Sequence, residues 1–319
     1  MTLIDTSNLP SAPVPASAET FQLRTMDHRS CSSQCLFTRC PRLYCWRKQA
    51  GLDSVAPLRD LAMTFGSAIH AAAPATYPGA LTTAMKEFGM VWGDNDKWED
   101  KKRNSVTARR IIIAMCEAHT SGEYEPVRPE VLTPGEGEHE TTFEVSLGLL
   151  SGKSVTGRVD CLIRRKSDSS LWIREYKTAS VIWGSFKDIF TINVQIETYA
   201  LALAVAGVKV SGALVEGILV AGGKTEIIPV PVELDQEKLD ATLEWWKWQD
   251  RVLESLETYS SGVEDWPMNR TACTPYPMFG SQGFVCDFQP LCLAGPRWPG
   301  LLGMFSQAKR DSDVEVGNE

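Results

Sequence analysis

GRVDCLIRRKSDSSLWIREYKTASVIWGSFKDIFTINVQIETY, residues 157–199, is the stretch around which the rest of the chain is organised. Two β-like runs, 155–163 and 171–177, flank a polar turn at 166–170, so the local expectation is a hairpin. The second run alternates. Leu171, Ile173, Glu175 and Lys177 share one face, and Trp172, Arg174 and Tyr176 share the other. Glu175 and Lys177 therefore sit together at the end of a half-buried strand, and Asp160 in the partner run can be brought opposite them. Two acids and a lysine on adjacent strands can hold a divalent cation and orient a water beside it, which is the minimum for metal-assisted phosphodiester cleavage.

A Glu-x-Lys pair alone is ordinary on a surface strand, where it makes a cross-strand ion pair of little consequence. The full string says more. Gly157-x-x-Asp160 is followed after fourteen residues by Glu175-Tyr176-Lys177, and then by Gln195-x-x-x-Tyr199 opening a helix. This four-part pattern resembles the PD-(D/E)XK nuclease superfamily and, within it, the RecB-like/AddB-like exonuclease branch. The resemblance implies Asp160, Glu175 and the Tyr176 carbonyl as ligands of Mg²⁺ or Mn²⁺. It implies Lys177 as the group that polarises the attacking water, with Gln195 and Tyr199 near the DNA and the lysine.

Composition is compatible with that expectation. The chain has 319 residues, 43% of them apolar, enough for a sizeable core in one large domain or two ordinary ones. No apolar run approaches the ~20 residues that span a bilayer, and residues 1–20 lack a basic segment followed by an apolar one. A cytoplasmic protein of a bacterial or archaeal cell, or of a phage-infected host, is expected; the small form resembles phage-encoded members. Nine cysteines then point to metal binding or buried thiols and away from disulfides. Net charge is −8, from 32 basic and 40 acidic residues. That argues against a non-specific duplex coater, but a nuclease needs only local positive charge along its groove.

Residues 1–20, rich in Ser, Pro and Ala, read as a mobile tail. Residues 21–57 hold Cys31, Cys35, Cys40 and Cys45 without a Cys-x-x-Cys pair, so a self-contained zinc finger is not expected. Cys40-Pro41-Arg42-Leu43-Tyr44, with Ser33 upstream, resembles the first helix of the RecB-like branch, and Pro41 suits a first helical turn. Residues 58–73 read as a helix stopped by Pro74. His70 in Gly66-x-x-x-His70 is either a structural histidine or, as the resemblance implies, a metal ligand. Residues 97–119 read as a helix whose Lys101, Lys102, Arg103, Arg109 and Arg110 form a solvated face or part of a phosphate-tracking groove. A loop over 127–138 leads to a strand at 140–150. Past Tyr199 come an apolar helix at 200–206, strands at 211–219 and 225–232, and a long helix at 236–258 capped by Asp235.

Cys273, Cys286 and Cys292 lie in a Gly/Pro/aromatic stretch with little room for regular structure. Such a coil is hard to stabilise in a reducing compartment unless its thiols bind something. Cys40 is the natural fourth ligand. One early and three late cysteines resemble the iron–sulfur subset of RecB-like nucleases. The resemblance implies a [4Fe–4S] cluster, with zinc as runner-up. The late spacing departs from the family's at Cys273.

The expected fold is α/β: a PD-(D/E)XK restriction-endonuclease-like core over 58–260, a mixed central sheet flanked by helices. Segments 21–57 and 261–295 are expected to join at the cysteine cluster, with a polar tail at 296–319. The expected function is a divalent-metal-dependent DNA exonuclease. The alternatives are a structure-specific endonuclease on the same core and a non-catalytic DNA- or protein-binding subunit, which the intact Asp/Glu/Lys set disfavours. The sequence carries no Gly-x-x-x-x-Gly-Lys-Ser/Thr helicase motif, so unwinding would fall to a helicase or recombination partner.

Overall fold

The computed structural model describes residues 23, 26–54, 57–127, 133–134, 141–181, 186–273 and 286–307. The expected tail at 1–20 lies outside them, as do 128–132 and 135–138 of the expected loop, the first residue of the strand expected at 140–150, and 308–319 of the expected polar tail.

The first elements are β1 (His28–Ser30), α1 (Cys31–Arg39), α2 (Pro41–Tyr44) with a π-helical extension over Cys45–Gln49, and β2 (Leu52–Ser54). Three longer helices follow: α3 (Pro57–Thr76), α4 (Leu81–Trp92) and α5 (Ser105–Ser121). Next come β3 (Tyr124–Val127), β4 (Thr133–Pro134), β5 (Thr141–Val145), β6 (Ser154–Val159), β7 (Cys161–Arg165) and β8 (Leu171–Ala179). The remainder is α6 (Val194–Val205), β9 (Gly212–Leu219), β10 (Ile227–Glu233), α7 (Gln236–Tyr259), α8 (Arg270–Cys273), α9 (Gln289–Ala294) and β11 (Phe305–Gln307). No described helix is long and apolar enough to cross a membrane.

The chain divides into two compact units. The larger takes His28–Cys31 and Ala56–Arg251, and the smaller takes the other described residues. The larger unit has two sheets. One is five-stranded, in the order β10-β9-β8-β7-β3, and the other four-stranded, β1-β6-β5-β4. The five-stranded sheet is mixed: β8 and β9 run parallel and its other pairs antiparallel. This is the expected α/β architecture. One core lies among both sheets, α6 and the first part of α7, with Ile173, Val215, Leu203 and Trp246 at its centre. A second packs α3, α4 and α5 against Tyr176, Ile218 and Val220.

The expected first strand, 155–163, is two strands. β6 pairs with β5 and β7 pairs with β8, so the chain changes sheets at Asp160. Asp160 Oδ2 accepts the Tyr176 N–H at 3.0 Å, satisfying a donor beyond the last β7–β8 pair, Cys161 with Arg174. Gly157 is required by its neighbour, because a Cβ there would fall inside the Phe143 ring. β8 is also not half-buried. Trp172 through Tyr176 are all buried, because helices or a second sheet cover both faces.

Two helix boundaries differ from expectation. α3 runs through Pro74 to Thr76. The proline removes one i→i−4 bond at a cost of ~3 kcal/mol, but Ala71, Ala72, Ala73 and Ala75 are good helix formers, and the last three are buried in the second core. The expected helix at 97–119 starts only at Ser105, where Asn104 accepts the Thr107 N–H at 2.9 Å; 95–98 is a separate 3₁₀ turn closed by Glu99 at φ 50°.

The smaller unit has its own core of Phe37, Leu43, Tyr44, Trp46, Leu253, Trp266, Phe288 and Leu291. The last turns of α7 belong to it through Leu253 and Leu256, so the larger unit ends at Arg251 and not at 260. The tail expected from 296 is structured as far as 307. Gly295–Met304 form 3₁₀ turns, and β11 pairs antiparallel with β2. Trp298, Leu301, Leu302 and Phe305 explain this: they are apolar and pack on the core.

Candidate active site

The larger unit gathers the expected residues in one place from four elements. Asp160 stands at the β6–β7 junction, Glu175 and Lys177 on β8, His70 on α3, and Gln195 and Tyr199 on α6. α6 is well anchored. Asn193 accepts the Gln195 and Ile196 N–H groups at 3.1 and 3.2 Å, and Glu197 reaches back to the Asn193 N–H at 3.1 Å. That cap fixes the rotation of the helix, and the i, i+4 spacing puts Gln195 and Tyr199 on one face.

The contacts form two groups. His70 Nδ1 lies 3.2 Å from Asp160 Oδ1. Lys177 Nζ donates to Glu175 Oε1 at 2.6 Å and to Gln195 Oε1 at 2.9 Å. Gln195 Nε2 donates to Glu175 Oε1 at 3.0 Å and to the Tyr199 hydroxyl at 2.7 Å. Glu175 Oε2, by contrast, is buried and has no hydrogen-bond partner. Leaving a buried carboxylate oxygen unpaired is costly.

The two acids are pushed apart in acidity. Burial raises the Glu175 carboxyl to about 7 and the Asp160 charge adds to this; Lys177 opposes it without cancelling it. Burial alone would raise Asp160 too, but His70, the Tyr176 N–H and Lys177 outweigh it and hold Asp160 below the ordinary value. Burial would lower His70, yet the Asp160 hydrogen bond and charge leave it raised. Burial and then the Glu175 charge raise the Tyr199 phenol, so it stays neutral. The side chain of Tyr176 leaves β8 on the face opposite Glu175, where its ring meets that of His70 edge-on at 5.8 Å and its hydroxyl meets that of Tyr77 at 3.1 Å.

Among the described residues, no three His, Cys, Asp or Glu side chains stand as a ready-made ligand set. The donors nevertheless fit a hard divalent cation. The Asp160 and Glu175 carboxylates suit one, the His70 imidazole is a softer donor beside them, and the unpaired Glu175 Oε2 is an oxygen that a cation would satisfy.

Sequence reasoning missed a buried polar network on the opposite face of β8. Arg174 Nε lies 3.3 Å from Glu216 Oε1, and Arg174 Nη1 donates to the Tyr77 hydroxyl at 2.8 Å. Glu216 Oε2 meets His119 Nε2 at 3.0 Å, and His119 Nδ1 meets Thr76 Oγ1 at 2.6 Å. Burial would raise Glu216, but His119 and Arg174 hold it down. A signal existed in Glu216, a single charge in the middle of the apolar run 212–220, whereas Arg174 stands beside Glu175 and near Lys177 and gave none. Of the basic residues expected along a groove, Arg103 bonds Asp100 and Arg110 bonds the Gly222 carbonyl, while Lys101, Lys102 and Arg109 are exposed.

In the smaller unit, Cys40 caps the start of α2 and accepts the Asn269 N–H at 3.4 Å. Cys273 ends α8, and Cys292 is on α9. Burial pushes the Cys273 thiol up to about 11, with contributions from Cys40, Cys292 and Cys286. Cys286 and Cys292 are raised as well, again by burial first, with Cys40 contributing to both. Cys40, Cys286 and Cys292 therefore lie near enough to Cys273 to affect its acidity. Cys45, also buried, is pushed well up by burial, as packed thiols are.

An acid at a strand break, Glu-x-Lys on the next strand and a helix bearing Gln-x-x-x-Tyr thus lie together over a mixed sheet. The sequence matches the PD-(D/E)XK nuclease superfamily over residues 28–292, and the chain belongs to that superfamily. Membership implies a nucleic-acid substrate, and such nucleases generally use Mg²⁺ or Mn²⁺. No curated protein matches the sequence. Among solved structures, the chain is similar to the crystal structure of SSO0001 at 13% identity and a TM-score of 0.31, over 76% of this chain and 81% of that one.

Proposed function

We propose that this chain is a divalent-metal-dependent DNA exonuclease that hydrolyses phosphodiester bonds from a free end, in DNA recombination, repair or processing. The buried, unpartnered Glu175 Oε2 carries the metal-dependent part of this reading. The preference for an end rests on the likeness of Gln195-x-x-x-Tyr199 to the RecB-like branch.

In this reading Asp160, Glu175 and His70 hold Mg²⁺ or Mn²⁺ together with the Tyr176 carbonyl. The bound ion supplies acidity to a water and neutralises charge on the phosphate. Lys177, fixed between Glu175 and Gln195, orients the attacking water and donates to the developing negative charge. Gln195 holds the lysine and the carboxylate in one geometry, and Tyr199 holds Gln195.

Cys40, Cys273, Cys286 and Cys292 hold a [4Fe–4S] cluster in the same reading, with zinc as the alternative. The placing of Cys40, Cys286 and Cys292 about one core of the smaller unit supports it. The cluster serves as a staple, since hydrolysis moves no electron. Unwinding of duplex DNA falls to a helicase or recombination partner, and the work is done in the cytoplasm.

The test uses end-labelled linear DNA and covalently closed circular DNA of the same sequence, with and without Mn²⁺. Metal-dependent loss of the linear substrate with the circle intact supports the exonuclease. Cutting of the circle gives the endonuclease instead. No cleavage of either with Mn²⁺ refutes both.

A further inference from the structure

The β8–β9–β10 ladder brings a second feature near Glu175. Glu175 pairs with Val215, and Val215 pairs with Val230. Directly paired residues point to the same face, and neighbouring strands lie ~4.8 Å apart, so Val230 is ~10 Å from Glu175 on the same side of the sheet. The Phe186 ring lies over Gly217, which the same ladder places between Lys177 and Ile228, and only a residue without a Cβ lets it approach so closely. Beyond Phe186 is an open pocket of about 270 Å³, lined by Lys187, Thr191, Val230, Pro231, Val232, Glu233 and Lys238. That is close to the lower end, roughly 300 Å³, of sites for small ligands.

The pocket has the polarity of a nucleotide site. Val230, Pro231 and Val232 make an aliphatic wall, with Lys187 and Lys238 beside it. Neither lysine has a carboxylate partner among the described residues. Lys238 donates to the Glu233 carbonyl at 2.7 Å, which holds its ammonium at the pocket without neutralising it. A peptide strand is a poor occupant. β10 is the edge of its sheet, and Pro229 and Pro231 remove donors that an added strand would need.

We propose that this pocket is a phosphate-and-base subsite for a single strand of nucleic acid, on the same side of the sheet as the bond cut at Glu175, with Lys187 and Lys238 as its phosphate contacts. The proposal rests on the nuclease reading of the neighbouring site. Glu233, on the pocket rim, opposes binding and limits the affinity.

Binding is measured by fluorescence anisotropy with the full chain, a fluorescein-labelled single-stranded oligodeoxynucleotide and EDTA, over a range of salt. Lys187→Ala/Lys238→Ala should weaken binding and flatten the slope of log Kd against log salt by about 1.4, at ~0.7 for each phosphate no longer neutralised. Glu233→Gln should tighten binding. Cleavage at saturating DNA with Mn²⁺ should be unchanged in both variants. An unchanged Kd and salt slope in the double lysine variant, with wild-type cleavage intact, overturns the subsite and leaves the nuclease standing. Wild-type protein that neither binds nor cleaves the oligonucleotide overturns both. A fall in cleavage at saturating DNA matching the loss of affinity overturns the remote-subsite assignment, because the lysines would then act on the reacting phosphate.

Discussion

Replacing Glu175 with Gln keeps the side chain's shape and removes its charge, and the structure gives that change opposite effects on stability and activity. The folded carboxyl sits at about 7 instead of its ordinary 4.5, chiefly because it is buried. At 1.36 kcal/mol per pKa unit, the ionised form costs the fold roughly 3 kcal/mol. Since the folded pKa is the higher one, the native state holds the proton longer than the unfolded state. Stability therefore falls as pH rises from about 4.5 to about 7, and the full cost is present above that. The Lys177 ion pair is already part of this balance, and Lys177 is itself partly exposed. In EDTA at pH 8, Glu175→Gln should melt higher than wild type by several degrees, at roughly 1.5 °C per kcal/mol for a chain of this size. At pH 5 the gain should shrink to less than ~1 kcal/mol. Mn²⁺ should raise the wild-type melting temperature at pH 8 and leave that of the variant nearly unmoved. Scanning calorimetry at both pH values measures this. Equal melting temperatures at pH 8, or a gain that persists undiminished at pH 5, would show that Glu175 is not held as an uncompensated buried charge.

Arg174→Met should destabilise by ~3–5 kcal/mol, because it leaves Glu216 buried without its cation, while adding Glu216→Leu should restore much of the loss in urea denaturation. His70→Asn should weaken Mn²⁺ binding at least tenfold with a small change in stability; equal dissociation constants would leave His70 a purely structural role. Cys286→Ala should give unstable or insoluble protein. Wild type purified without oxygen should be brown, absorbing near ~400 nm with about four irons per chain. Colourless protein with one zinc would change the metal, and folded metal-free protein with four titratable thiols would remove the cluster.

What the sequence revealed and what it hid follow from range. Glu175, Lys177, Gln195 and Tyr199 were legible because strand and helix periods act locally, and their side chains do meet. The hairpin was legible from its polar turn. The break at Asp160 was not, because an apolar run reads the same whether it serves one sheet or two. The continuation of α3 through Pro74 was hidden for a similar reason: local chemistry favours a stop, and burial of the alanines overrides it. Arg174 and Glu216 are 42 residues apart in sequence, and only the parallel β8–β9 pairing makes them neighbours. The apolar residues at 298–305 were misread as part of a tail because the strand they pair with, Leu52–Ser54, lies some 250 positions earlier.

The central claim is that Asp160 and Glu175 hold a metal ion with which Lys177 directs hydrolysis of a phosphodiester bond. Single-turnover cleavage of labelled DNA by wild type, Asp160→Asn and Lys177→Met, run alongside Mn²⁺ binding followed by electron paramagnetic resonance, tests it most directly. The account expects Asp160→Asn to lose both metal and cleavage. It expects Lys177→Met to keep the metal and lose cleavage by several orders of magnitude. Wild-type rates from either variant, or cleavage by wild type in EDTA, would contradict it.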